Sequence, residues 1–304
     1  MLIHRRSFLW HTGLLLVGLG AAKGALAATE LRVIAHGDNP GQRAALIAIE
    51  RRFGQVRVST DPNGFGPRSA ASVYLAINSP SFTAALTAES VSPLVALFSS
   101  SESYWSAMRE TSKNRSRAQV TAIFAEASPL HQMQLIAQIY QRRVSVGVLL
   151  TEATAYIEPS LRQAAHETDL ELQVERVAPN TNVLKALMRV SSATVLLAVP
   201  DRSLYTADSI RDILESTYRR GQPMVGFSTS MVSAGTLATA YSSIEDTVTH
   251  LGEVIDTIES GRTPEPQYPK YWRVAINESV ARSLNVVISD AVRNMGTRPR
   301  EGSR

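Results

Sequence analysis

The stretch "VLLAVPDRSLYTADSIRDIL", Val195 to Leu214, decides the fold. Its first residues are apolar without alternation, which suits a strand buried on both faces, and the run stops at Pro200 and Asp201 before a helical pattern begins. An apolar strand, a polar turn and an amphipathic helix make the βα unit of a parallel sheet. Asp201 stands at the carboxyl end of that strand, where open α/β sheets bind ligands. It either faces a ligand cleft or only orders the turn.

The same unit recurs along most of the chain. Upstream, "LRVIAH", "QVRVST", "SVYLAI", "SPLVALF" and "VTAIFA" read as strands, and "GQRAALIAIERRF", "FTAALTAES", "YWSAMRETS" and "PLHQMQLIAQIYQRR" as helices. "VSVGVLL", "LELQVERV", "ATVLLAV", "PMVGFS" and "YWRVAIN" continue the strands. The accompanying helices are "IEPSLRQAAHETD", "NVLKALMRV", "SIRDILESTYRRG", "IEDTVTHLGEVIDTIESG" and "ESVARSLNV". Two successive runs of βα units predict an α/β protein with two doubly wound lobes built on parallel sheets. A length of 304 residues with 44% hydrophobic content suits two domains of ordinary size.

The first 27 residues read as an export signal. "MLIHRRSFLW" is basic, "GLLLVGLGAA" is an apolar core shorter than the about 20 residues of a membrane-spanning helix, and "ALA" supplies small residues before Ala28. Arg5 and Arg6, followed by Ser7, Phe8 and Leu9, fit a twin-arginine signal as well as an ordinary secretion signal that happens to contain two arginines. Either route ends in the periplasm. With no cysteine in the chain, disulfides are excluded and so is a lipid anchor at a cleavage-site cysteine. Loss of the signal removes three basic residues, leaving 28 against 27 acidic ones, a net charge of +1. Beyond the tail "RNMGTRPREGSR" no basic face is legible, so nucleic acid is not an expected partner.

The loops at strand ends carry the candidate ligand contacts: His36, Asp38, Ser79, Ser99, Ser101, Thr151, Asp201 and Ser228. Hydroxyls dominate, and paired nucleophiles and bases are lacking, which suits binding better than catalysis. No Gly-x-Ser-x-Gly elbow occurs, and "GFGPRS" (Gly64 to Ser69) lacks the Gly-Lys-Ser/Thr of a phosphate loop, so it reads as a turn. His36, His131, His166 and His250 do not fall at metal-ligand spacing, and neither a metal nor a cofactor is expected. His131, His166 and His250 read as solvated helix residues, while His36, beside Asp38, is either a turn residue or a ligand contact. "SSSESYW" (Ser99 to Trp105) either caps a helix or holds an anion beside Tyr104 and Trp105. Lys270 in "YPKYWRV" is similarly open, as a solvated residue or a contact.

From about Ala71 to Val287 the chain resembles the ABC-transporter substrate-binding family that includes the tryptophan- and tyrosine-binding lipoproteins. The resemblance is carried by "VTAIFAEASPLHQMQLIAQIY", "VSVGVLLTEATAYIEPSLRQAA", "LLAVPDRSLYTADSIRDIL", "QPMVGFSTSMVSAGTLATAYSS" and "YWRVAINESVARSLNV", the last with Asn277, Ala281 and Leu284. It implies a type I periplasmic binding-protein fold, with an interlobe hinge crossed three times. Lobe one would hold residues 28–124 and 240–263, and lobe two 125–239 and 264–304. Asp201 would match an aspartate facing the cleft. Three departures set this chain apart: "DPNGFGPRSAA" leaves little room for the first lobe's usual helix, "SSSES" replaces an Asp-Pro, and "HGDNPGQ" is its own.

The expected function is a soluble, monomeric periplasmic protein that captures a small polar or amino-acid-like ligand between its lobes for an ABC permease. The alternative is a binding-protein-like sensory module acting on a membrane receptor such as a kinase or cyclase, which the shortened first lobe favours. An enzyme ranks third.

Overall fold

The computed structural model describes residues 29–65, 72–88, 93–111 and 119–300. The segment read as an export signal, residues 66–71 of the segment read as a glycine-containing turn, and the last four residues of the tail lie outside the described residues. Two sheets organise the chain. The first contains β1 (Glu30–Ile34), β2 (Arg57–Ser59), β3 (Ser72–Ile77), β4 (Leu94–Leu97) and β5 (Val120–Ile123), all parallel, in the order β2-β1-β3-β4-β5. The second contains β6 (Ser145–Leu150), β7 (Glu171–Arg176), β8 (Val195–Leu197), β9 (Met224–Val225), β10 (Ala238–Tyr241) and β11 (Arg273–Ile276). Its order is β11-β10-β9-β8-β6-β7, with only β11 antiparallel. Apart from that edge strand the two orders are equivalent. Each winding reverses beside its first strand, which opens a crevice at the carboxyl ends of the strands.

Helices cover both faces of both sheets. In the first half they are α1 (Pro40–Phe53), α2 (Ser79–Thr87), α3 (Ser101–Glu110) and α4 (Pro129–Tyr140). The second half adds α5 (Glu158–Glu167), α6 (Val183–Arg189), α7 (Ala207–Arg219), α8 (Thr229–Ala234), α9 (Ile244–Glu259), α10 (Glu278–Ser283) and α11 (Asp290–Arg293). Most begin at an asparagine, serine or threonine whose side chain accepts a first-turn N–H: Asn39, Asn78, Ser100, Ser128, Asn182, Thr206, Ser228, Ser243, Asn277 and Ser289. A missing cap of this kind costs about 1 kcal/mol. Much of the hydroxyl and amide content at strand ends is therefore helix capping.

The chain passes between the sheets near residues 124–128, 242–243 and 268–272. After β10 of the second sheet, α9 lays Val248, Leu251, Val254 and Ile255 against Leu31, Val33 and Ile49 of the first lobe. Gln267 then pairs with β5 through Phe124 N–H to Gln267 O (3.0 Å) and Gln267 N–H to Ala122 O (3.0 Å). Trp272 rejoins the core of the second lobe, beside Met133, Leu135 and Ile136 of α4. The changes of lobe thus fall a few residues after the expected positions 240 and 264.

Two histidines differ from the solvated reading. His131 stacks on Trp272 at 4.6 Å, and burial pulls its imidazole down to about 4. His250 is buried and accepts the Lys270 N–H at Nδ1 (3.2 Å), and burial lowers its pKa too. Both serve the third crossing. His166 is exposed, and Lys270 pairs with Glu253 at 2.6 Å.

Gly147 in β6 is where the second sheet meets the end of α6. A Cβ there would lie 3.0 Å from Val190 Cβ and 3.1 Å from Ala193 Cβ. Gly147→Ala is expected to lower stability by about 1 kcal/mol through overpacking. Urea unfolding measures it, and an unchanged midpoint would show that α6 yields freely.

Candidate functional site

The carboxyl ends of the two sheets face each other, and Asp201 sits just after β8. It is 4% exposed, and both carboxylate oxygens are occupied by the protein. Oδ2 accepts from the hydroxyls of Thr151 (2.6 Å) and Thr154 (2.9 Å). Oδ1 accepts from the Ser203 hydroxyl (2.7 Å) and from the N–H groups of Ser203 (3.0 Å) and Leu204 (3.2 Å). Burial pushes the carboxyl up, but the bonds from Thr151, Ser203 and Thr154 outweigh it and hold the pKa below its ordinary value. The aspartate therefore ties the loop after β6 to the loop after β8.

Those two loops line a groove of about 790 Å³. Its walls are Thr151, Glu152 and Ala153 after β6, residues 177–181 after β7, and Ser203 and Leu204 after β8, with Arg109 from the last turn of α3 on the other lobe. Thr151 and Ser203 line the groove and also donate to Asp201. Asp201 thus shapes the groove from behind its wall. Across the groove Arg109 contributes a cation from the first lobe and Glu152 an anion from the second.

The other strand-end residues fall into separate groups. The His36 N–H donates to Ser81 Oγ (2.8 Å), the Asn78 amide donates to His36 O (2.8 Å), and His36 Nδ1 is buried with no hydrogen-bond partner among the described residues. Asn78, at φ 137°, is held in that left-handed conformation by these contacts and by the Ser81 N–H on its Oδ1 (2.8 Å). Ser79 opens α2 beside it, and Asp38 is an exposed partner of Arg43. Ser99 is buried, and its hydroxyl has no partner among the described residues. Ser228 caps α8. Among the described residues no cluster of three or more metal-ligating side chains occurs.

A third group joins the lobes. Ser101 donates its N–H (3.0 Å) and its hydroxyl to the buried Glu126, which lies in the first crossing. From the loop after β6, the Tyr156 hydroxyl donates to Ser101 Oγ (2.8 Å), and its ring meets Trp105 of α3 edge-on at 6.5 Å. Arg202, after β8, reaches Glu102 of α3 with Nε at 3.1 Å and a second nitrogen at 3.4 Å. Glu102 and Ser101 lie in the segment read as either a cap or an anion site. The structure puts Ser100 there as the cap, and two carboxylates close by.

Arg109, Glu152, Tyr156, Glu126 and Arg202 were not among the sequence-derived site residues. Glu126 had the clearest signal, since "FAEASP" sets a carboxylate directly after a buried strand, as "AVPD" does at Asp201.

No protein-family model matches the chain, and no curated protein matches it. Solved structures do. A ligand-free, open substrate-binding protein with adhesive properties from Clostridium difficile aligns at TM-score 0.63 and 13% identity, over 87% of this chain and 97% of its own. An ABC domain in complex with L-Trp from Streptococcus pneumonia aligns at TM-score 0.58 and 13% identity, over 88% of this chain and 97% of its own. A conserved domain protein from Vibrio cholerae aligns at TM-score 0.56 and 18% identity, over 87% and 97%. At these identities the likeness shows the fold, two doubly wound lobes of the type I periplasmic binding-protein kind. Among the described residues no helix is long and apolar enough to cross a membrane.

Proposed function

We propose that this chain is a periplasmic solute-binding protein that captures a small amino-acid-like ligand between its lobes for an ABC-type importer. The observation that carries the reading is the groove at the strand ends of the second lobe, with Glu152 on that lobe and Arg109 facing it from the first. A zwitterion lying between them would satisfy a carboxylate at the guanidinium and an ammonium at the carboxylate, and so engage both lobes at once. Thr151, Thr181 and Ser203 add hydroxyls for orientation. That two structural neighbours are described as a substrate-binding protein and a complex with L-Trp supports the reading. Export by residues 1–27, release as a free monomer and delivery to a permease complete it.

A second reading, the sensory module, draws support from the first lobe, where the described part of the β2–β3 connection contains no helix. Either way binding, not turnover, is the chemistry. Titration calorimetry against amino acids, nucleosides, organic acids and sugars tests the first reading. An amino-acid-like ligand should bind, and Arg109→Ala or Glu152→Gln should each weaken it about tenfold or more. Silence across the panel with folded protein would favour the sensory module, and equal affinity in both variants would remove the groove from the site.

A further inference from the structure

The groove is not what holds the lobes together. Two contacts made by the protein itself span them: the two-nitrogen grip of Arg202 on Glu102, and Tyr156 donating to Ser101, which in turn donates to Glu126. Glu102 is 5% exposed at its side chain while Arg202 is 69% exposed, so the pair joins a carboxylate withdrawn from water to a guanidinium that still faces it. Glu126 is buried too, at a crossing segment that must flex when the lobes part. Closure in binding proteins of this architecture is a hinge motion whose balance is set by contacts that exist only when the lobes meet. Here such contacts exist between protein groups alone.

The groups around Glu126 identify what could release them. Ser101 and Glu102 face it from α3, Tyr156 from the loop after β6, and Tyr268 from the third crossing. Tyr241 of β10 lies beside it through a backbone bridge. Within this cluster the guanidinium of Arg202 is engaged by Glu102, and Arg109 acts on Tyr156. Burial, reinforced by Glu102, favours the neutral acid at Glu126, despite the opposing Ser101 bonds. Ionisation would set a second negative charge beside Glu102 in a dry site, a cost that opening to water relieves.

We propose that Tyr156, Ser101, Glu126, Glu102 and Arg202 form a proton-dependent latch that keeps the two lobes closed without solute and opens when Glu126 ionises. The latch regulates the groove of the preceding reading and rests on that reading only for what the groove receives. A carboxyl whose proton is held more tightly in the closed state favours closure in acid and loses that advantage as pH rises through its raised value.

Because the chain has no cysteine, Glu50→Cys in α1 and Asp212→Cys in α7 give one spin label on each lobe, both at exposed positions. Pulsed electron paramagnetic resonance on the purified, solute-free protein then reads the interlobe distance. At about pH 5 the short distance should dominate, with a longer one below about one tenth of molecules, and at about pH 9 the long distance should become the majority. Glu126→Gln, neutral at every pH, should stay short throughout. Tyr156→Phe and Arg202→Ala should each raise the long population at both pH values. A wild-type protein already open in acid overturns the latch, as does a Glu126→Gln variant that shifts with pH like the wild type. Should Glu126→Gln fail to fold by circular dichroism, unchanged distances in Tyr156→Phe and Arg202→Ala overturn it equally. No solute enters these measurements, so failure of the solute reading leaves their outcome untouched.

Discussion

Replacing Asp201 by alanine is expected to lower the unfolding free energy by about 3–5 kcal/mol, measured by urea titration. The substitution removes the shared acceptor of the Thr151, Thr154 and Ser203 hydroxyls and of two N–H groups, and leaves them facing a cavity. Asp201→Asn keeps one carbonyl oxygen for the Ser203 side and is expected to cost about half as much. The acid limb carries a second signature. Because the folded carboxyl lies below its ordinary value, its stabilisation is complete above the unfolded value, about 4, and is lost as pH falls through the folded one. Asp246 behaves in the same direction, since the Arg273 and Ser243 bonds outweigh burial there. Asp201→Ala should therefore flatten, not abolish, the loss of stability in acid. An unchanged urea midpoint in Asp201→Ala would mean that the two loops are held by other contacts. If they are not, the groove wall at Thr151 and Ser203 should loosen with them, and solute affinity should fall even though the carboxylate itself faces away.

The fold was legible because its central strands, such as β4 and β8, are apolar on both faces, and only a parallel sheet covered by helices buries such strands. β10 escaped because "ATAY" is small and polar, with no β-branched run beyond Thr239. α8 and α11 are too short for periodicity to speak. At the strand ends, residue type alone does not separate a ligand contact from a cap. Serine and asparagine at strand ends are what a ligand cleft and a helix cap both need, and at Ser228 and Asn78 the cap is what they serve. Asp201 is legible as a strand-end carboxylate, yet which way it turns depends on the hydroxyls of Thr151 and Thr154, about fifty residues away in sequence. Arg109 and Glu152 lie on different lobes, so no spacing along the chain could pair them. Tyr156 and Arg202 likewise acquire partners only when the lobes meet.

Gln132→Ala should lower stability by about 3 kcal/mol and expose the second crossing to exchange. β9 ends at Val225 and pairs with β10 only through Ala238, so β10 runs on past its neighbour. Gln132 of α4 takes up the vacated ladder position. Its Oε1 accepts the Ala240 N–H (3.0 Å), and its Nε2 donates to Ala240 O (2.9 Å), as a neighbouring strand would. Truncation leaves the Ala240 N–H buried without an acceptor, and leaves Ala240 O to share the one Thr239 hydroxyl proton (3.0 Å) with Gly226 O (2.8 Å). The expected loss combines that orphaned donor with the volume of a buried side chain. The chain leaves the second sheet right after Tyr241, so the same bonds anchor one of the three strands of the hinge. Amide hydrogen exchange should register the change most sharply at Ala240, with protection retained at Val195 and Leu196 in the centre of the sheet. If Ala240 keeps its protection in the variant, β10 is fixed by β11 alone, and the glutamine is a filler of space with no part in holding the hinge.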